Sequence, residues 1–166
     1  VNLFVDTIFE KLKNSHSKVI GEAGEEIVIN IFKNLNFDVK RPPKSGLEYD
    51  LIVNGNKVEV KFSLAQKKRD SFMINHVKLD SEFDYLIICC VNPALNENGY
   101  DIICKCITKE NLDKSIKMPS VYFKRQQGGE KGGNNDWIIT GEKLQKFMRS
   151  DFCEDLEDCF HYFKDV

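Results

Sequence analysis

Apolar residues recur at helical spacing near the start of the chain. Over residues 20–35 they lie three or four positions apart, which predicts an amphipathic α-helix packed on a core. The same spacing over residues 3–12 predicts a shorter helix before it. The apolar positions of the longer helix are Ile20, Ala23, Ile27, Ile31 and Leu35.

The middle of the chain changes to strand patterns. Residues 49–53 and 57–62 flank Asn54-Gly55, a dipeptide that favours a two-residue β-hairpin turn. Residues 85–91 form a continuous apolar run, which is typical of a central strand covered on both faces. Further strands are predicted at 37–41, 71–77, 101–107, 121–124 and 137–140, and helices at 141–149 and 152–163. This order predicts an α/β protein with a three-layer α/β/α fold and a central mixed β-sheet.

Length and composition are typical of one globular domain. The chain has 166 residues, of which 42% are hydrophobic and 30% charged, so we expect a single domain over residues 1–166. No stretch approaches the roughly 18 consecutive apolar residues of a membrane span. The first residues lack the basic region and apolar block of a secretory signal. We therefore expect a cytoplasmic protein that does not enter a membrane.

The six cysteines do not follow a zinc-binding spacing. Cys104 and Cys106 have one residue between them, whereas a zinc hairpin usually has two to four. Cys89 and Cys90 end an apolar run, which predicts that they are small buried hydrophobic residues. The net charge of −2 argues against a protein that coats nucleic acid through bulk electrostatics, although local basic patches can still contact phosphates.

The predicted hairpin brings acidic and basic side chains together. Side chains alternate along a strand, so Glu59 and Lys61 share the face opposite the apolar residues of 57–62. In a hairpin with this turn, opposing residue numbers add up to about 109, which places Asp50 opposite Glu59. Carboxylate oxygens are the ligands that hard divalent cations prefer. The pattern therefore predicts a magnesium site held by Asp50 and Glu59, with the carbonyl of Val60 as a further ligand.

Each of these features also has an ordinary structural explanation. A Glu and a Lys on one strand face often form a solvated pair, and an Asp at a strand end is often a turn residue. Three accompanying features favour catalysis: a carboxylate on the partner strand at the right register, a preceding helix with its own glutamates, and an apolar central strand after the motif. Lys61 would then stabilise developing negative charge or orient and activate the attacking water, and the sequence does not separate these roles.

Three segments carry a family resemblance. They are Gly24-Glu25, Gly46-Leu47-Glu48-Tyr49-Asp50-Leu51-Ile52-Val53 and Val58-Glu59-Val60-Lys61. The chain resembles the PD-(D/E)xK nuclease superfamily, which includes many type II restriction endonucleases, Holliday-junction resolvases and repair nucleases. The proline that names the motif is missing, since Tyr49 precedes Asp50. The resemblance covers a catalytic core of about residues 18–92.

The resemblance implies a nuclease that uses Mg²⁺, with Mn²⁺ able to substitute, and an active site on a central hairpin. Matched residue by residue, the motif aspartate is Asp50, the paired acid Glu59 and the lysine Lys61. The acid of the first helix is Glu25, with Glu22 one turn earlier as the alternative. Both glutamates also fit a solvated helix face.

Basic and polar residues beyond the motif are candidate nucleic-acid contacts. A glycine-rich loop over residues 124–135 suits a segment that orders on a duplex, although a plain surface loop has the same composition. The candidates are Lys44, Ser63, Gln66, Lys67, Lys68, Arg69, Lys124 and Arg125. Ser63 and Gln66 are also ordinary polar residues for a strand end.

The expected function is that of a sequence-specific DNA endonuclease of the type II restriction kind. A compact domain with one site needs a second copy to cut both strands of a palindrome, so we expect a homodimer on double-stranded DNA. The alternatives are a structure-selective resolvase or repair nuclease, an RNA endonuclease, and a non-catalytic nucleic-acid-binding module. The presence of Asp50, Glu59 and Lys61 together argues against the last.

Overall fold

The helices and strands follow from a computed structural model that describes residues 2–44, 47–118, 121–125 and 136–164. The α-helices are α1 (Ser17–Asn34), α2 (Lys109–Lys117) and α3 (Gly141–Arg149), and 3-10 helices cover Leu12–Asn14 and Leu156–Phe163. The strands are β1 (Val39–Lys40), β2 (Leu51–Val53), β3 (Asn56–Leu64), β4 (Met73–Lys78), β5 (Tyr85–Pro93), β6 (Tyr100–Thr108), β7 (Lys124–Arg125), β8 (Asp136–Thr140) and β9 (Glu154–Asp155).

A six-stranded mixed sheet forms the centre of the fold, in the order β1-β2-β3-β5-β6-β9. Strands β3 and β5 are parallel, and the other neighbours are antiparallel. One face packs on α1 and the 3-10 helix Leu156–Phe163, and the other on α2 and α3. The predicted α/β/α fold with a mixed central sheet is therefore confirmed. A second, antiparallel sheet of the order β4-β8-β7 was not predicted.

Strand β5 is buried on both faces, as its apolar sequence predicts. Leu86, Ile88 and Cys90 contact the core on the α2–α3 side, whereas Ile87 and Cys89 contact the core beneath α1. Cys89 and Cys90 are both fully buried, which confirms their prediction as small core residues. The parallel partner β3 is held against this rigid strand from Val58 to Leu64. The candidate active-site strand thus lies beside the best-packed element of the sheet.

The β2–β3 hairpin has the predicted register. Val53 pairs with Asn56 and Leu51 with Val58. Asn54 has a φ of 45° and Gly55 a φ of 84°, the left-handed backbone that a type I′ turn requires at both central positions. The turn chemistry of the sequence therefore determines which residues of β2 and β3 face each other.

The predicted helix packed on a core is confirmed as α1, but its most buried residues are not the predicted ones, of which Ile27 and Ile31 pack against the core while partly exposed. Its buried residues are Gly24, Val28, Ile29 and Phe32, whereas Leu35 is 40% exposed. A Cβ on Gly24 would lie 2.4 Å from the Cβ of Phe62 on β3. The helix can approach the strand this closely only because residue 24 has no side chain. This contact brings the neighbouring Glu25 to the hairpin.

The first segment is not the predicted helix. Residues 3–11 form turns, because the side chains of Asn2 and Thr7 bond to the nearby backbone N–H groups of Phe4 and Phe9. Such bonds compete with helical hydrogen bonds. Two further differences are α2, which was not predicted, and residues 152–163, which form β9 and a 3-10 helix rather than one α-helix. Among the described residues, no helix has the length and apolar character to cross a membrane.

Candidate active site

Asp50, the residue just before β2, is fixed by two hydrogen bonds to β3. Its backbone N–H donates to the carbonyl of Val58 at 2.9 Å, and its Oδ2 accepts from the backbone N–H of Val60 at 2.8 Å. The Asp50 carboxylate therefore accepts the hydrogen bond from β3 that a backbone carbonyl of the neighbouring strand would otherwise accept. Because backbone groups alternate along a strand, the carbonyl of Val60 points to the same side of β3 as that of Val58. Asp50 and the Val60 carbonyl thus lie on one side of the strand.

Glu59 is a buried acid in contact with Asp50. Only 17% of its side chain is exposed. Burial and a hydrogen bond with the Asp50 carboxyl group raise the pKa of Glu59 to about 9, and the positive charge of Lys61 offsets this only in part. The Glu59 carboxyl group therefore keeps its proton to a higher pH than an exposed glutamate does. The two acids share one site, so the simple solvated pair that the sequence also allowed is not what forms.

Lys61 lies on the same face of β3 as Glu59. Its Nζ is 3.9 Å from the Oε1 of Glu59, and 22% of its side chain is exposed. The predicted grouping of Asp50, Glu59 and Lys61 is therefore present in the geometry.

Helix α1 supplies a third acid, and its place favours Glu25 over Glu22. Glu25 is 19% exposed, and its Oε1 accepts from the Arg41 guanidinium at 2.8 Å. Burial raises the pKa of Glu25, and the charge of Asp50 raises it further. Glu22 is exposed. Arg41 also binds Glu26 at 2.6 Å.

The donor set fits a magnesium ion held by two carboxylates. Within the described residues, no group of three or more His, Cys, Asp and Glu side chains is arranged to hold a metal ion. Mg²⁺ keeps several water ligands and is often bound through one or two carboxylates. Asp50 and Glu59 supply such a pair, and burial is the main reason that the pKa of Glu59 is raised. Glu25 is turned to Arg41 and stands beside this pair.

Residues of this group line three clefts. One of about 480 Å³ is lined by Glu25, Asp50 and the predicted contact Lys44. A second, also of about 480 Å³, is lined by Glu22, Glu25 and Arg41. The third, of about 390 Å³, is lined by Lys61 with the predicted contacts Ser63 and Gln66. The structure thus brings three of the predicted contact residues to the site.

The remaining predicted contacts lie outside these three clefts. Lys67, Lys68 and Arg69 are exposed, and Arg69 donates to the carbonyl of Pro93 at 2.6 Å. Lys124 and Arg125 are exposed on β7. Residues 126–135 of the predicted DNA-binding loop lie outside the described residues.

Ser63 has a structural role that the sequence did not reveal. It is only 5% exposed, and its hydroxyl accepts from the backbone N–H of Met73 at 3.0 Å. It therefore joins β3 to the start of β4.

Two residues at the site were not identified from sequence. Arg41 binds the acids of α1, and Lys13 lines the cleft beside Lys61. Neither belongs to a motif or a periodic pattern, so only the fold reveals them.

The fold is shared with a known endonuclease. No protein-family model matches the chain, and no curated protein matches it by sequence. Among solved structures, the bacterial homing endonuclease I-Ssp6803I matches with a TM-score of 0.50 over 89% of this chain and 94% of that chain. The two sequences are 16% identical, so the likeness shows a common fold.

Proposed function

We propose that the chain is a magnesium-dependent endonuclease that hydrolyses phosphodiester bonds in DNA by the mechanism of the PD-(D/E)xK nucleases. The observation that carries the proposal is the contact between Asp50 and Glu59 on the hairpin, with the Nζ of Lys61 3.9 Å from Glu59. Buried acids are costly to keep together, and perturbed carboxyl groups of this kind concentrate at functional sites.

Each residue then has a task at the scissile phosphate. Asp50 and Glu59 would hold Mg²⁺, and the Val60 carbonyl, on the same side of the strand as Asp50, could be a further ligand. The ion would supply Lewis-acid charge next to the phosphate. Lys61 stabilises the negative charge that develops on the phosphate or orients the attacking water, and its position serves both roles. Glu25, anchored by Arg41, keeps further negative charge at the edge of the site.

We further propose that cleavage is site-specific and that a homodimer cuts double-stranded DNA. The fold shared with a bacterial homing endonuclease supports an endonuclease, and the net charge of −2 favours localised contacts over general coating of DNA. One site per chain requires two copies for a double-strand cut. The resemblance of the motif to that of type II restriction endonucleases supports a restriction enzyme as the specific role.

The test is incubation of purified protein with supercoiled plasmid, with a branched DNA and with a structured RNA, in Mg²⁺ or in a chelator. Asp50→Asn is the matched variant, because its side-chain oxygen still accepts from the Val60 N–H while the charge is lost. Discrete plasmid fragments that need Mg²⁺ and are absent with Asp50→Asn are expected. Cleavage of RNA alone would assign an RNA endonuclease, cleavage only of branched DNA a resolvase, and no cleavage of any substrate a binding module.

A further inference from the structure

The cleft beside Lys61 is separate from the acidic one and has its own walls. It is bounded by the first turns of α1, by β3 from Val60 onward and by β4. Lys61 is the link between the two regions, since its Nζ approaches Glu59 while its side chain lines this cleft. A phosphate held at the acids would therefore lie at the mouth of the cleft.

The charge of this cleft is positive. Lys13 and Lys61 line it, and none of its described lining residues is Asp or Glu. The two neighbouring clefts also have basic lining residues, Arg41 and Lys44, but unlike this one they contain carboxylates, those of Glu22, Glu25 and Asp50. The remaining polar groups along its walls come from Ser17, Ser63, Gln66 and Asn75. An anion, not a cation, is the ligand that these walls suit.

Lys13 is held in place without a charge partner. Its Nζ donates to the carbonyl of Ala65 at 2.9 Å, which uses one of its three N–H donors. Within the described part of the chain, no carboxylate forms an ion pair with it. Burial lowers the pKa of Lys13. An anion in the cleft would compensate this loss of hydration.

Gly21 lies on the wall of the cleft that α1 forms and places no side chain there. Glycine inside a helix costs about 1 kcal/mol relative to alanine. Packing explains Gly24, which contacts Phe62, but a Cβ on Gly21 would meet no heavy atom within 4 Å. The open space over Gly21 is the cleft itself. A glycine that packing does not require, facing a basic cleft, fits close approach by a ligand backbone.

We propose that this cleft holds the phosphodiester backbone of the cut DNA strand next to the scissile bond, with Lys13 contacting a phosphate and Gly21 leaving room for the strand. The inference rests on the proposed nuclease function and adds the path of the substrate. Lys61 then contacts the scissile phosphate at one end of the path, and Lys13 a neighbouring phosphate.

The test measures binding of a fluorescein-labelled DNA duplex by anisotropy in chelator, where no cleavage takes place. Lys13→Gln removes one of the two positive charges of the cleft, and its control is Lys11→Gln at an exposed position outside the cleft. Gly21→Glu places a carboxylate in the cleft. Its control is Asn30→Glu, which adds the same charge to the opposite side of α1 at an exposed position.

Both cleft variants are expected to raise Kd by about fivefold or more at 0.1 M salt, with the controls nearer to wild type. Lys13→Gln should also reduce the salt dependence of log Kd by about one unit of slope, the effect of one lost phosphate contact. Equal Kd values for cleft variants and controls would overturn the proposal, as would a wild type that binds no duplex.

Binding without metal separates this proposal from the nuclease proposal. If the cleft variants weaken binding but the wild type cuts no DNA in Mg²⁺, the cleft assignment stands and the activity is wrong. If the wild type cuts DNA and the cleft variants bind and cut like their controls, the activity stands and the cleft assignment is wrong. Thermal unfolding of every variant confirms that each is folded.

Discussion

Replacing Glu59 with Gln should stabilise the protein at neutral and alkaline pH. The folded protein raises the pKa of Glu59 to about 9 from an ordinary value of 4.5. Between these values the native state keeps a proton that the unfolded chain releases, so the free energy of unfolding falls as pH rises. Glutamine does not titrate, and its amide can still donate to Asp50. The free energy of unfolding of Glu59→Gln should therefore not show this decrease with rising pH.

The size of the effect follows from the width of the pH window. Each pH unit across which the folded protein holds one more proton than the unfolded chain is worth about 1.4 kcal/mol. Between pH 5 and pH 8, wild type should lose on the order of 4 kcal/mol relative to Glu59→Gln. This is a large part of the roughly 5–15 kcal/mol of a typical domain. The side chain is 17% exposed, so solvent screens the effect only weakly.

The assay is urea unfolding in chelator at several pH values, followed by the fluorescence of Trp137, the one tryptophan of the chain. Glu97→Gln is the control, because it removes an exposed carboxylate from the loop between β5 and β6. The gain of Glu59→Gln over wild type should grow steadily from pH 5 to pH 8, and Glu97→Gln should show no such trend. A gain that is the same at all pH values would mean that Glu59 is ionised in the folded protein.

Further predictions concern the packing and the acids of α1. Gly24→Ala should destabilise the fold by about 1–3 kcal/mol, because its Cβ would lie 2.4 Å from the Cβ of Phe62. Gly21→Ala should stabilise the fold by about 0.5–1 kcal/mol, because its Cβ would meet no heavy atom within 4 Å and alanine favours the helix. Urea unfolding measures the free energy of unfolding of both variants. A free energy of unfolding lower for Gly21→Ala than for wild type would contradict the open space next to Gly21. Glu25→Gln should lower the cleavage rate about tenfold or more, as loss of a supporting group at a metal site does, and Glu22→Gln much less. Equal rates for these two would remove Glu25 from the site.

The hairpin and its acids could be predicted because local chemistry determines them. Asn54 and Gly55 adopt the left-handed backbone that few other residues accept, and the register then follows by counting. The meeting of Asp50 with Glu59 depends on that register alone. The continuous apolar sequence of β5 likewise predicted that both faces of this strand are buried.

Long-range packing explains what the sequence did not reveal. The buried stripe of α1 depends on Gly24 fitting over Phe62, a contact that hydrophobic spacing does not encode. Helix α2 is polar along most of its length, although Thr108, whose hydroxyl accepts from the Asn111 N–H, is a capping signal that could have located its start. The roles of Arg41 and Lys13 depend on elements distant in sequence.

Single-turnover DNA cleavage by Lys61→Met, beside Lys57→Met, would decide whether the hairpin is the active site. Both lysines lie on β3, but Lys57 pairs with the exposed Glu82 at 3.5 Å, whereas the Nζ of Lys61 lies 3.9 Å from Glu59. With equal folding, Lys61→Met should lose about 100-fold or more of the rate, and Lys57→Met should stay within about twofold of wild type. Wild-type cleavage by Lys61→Met, or equal losses in both variants, would show that the hydrolytic site lies elsewhere.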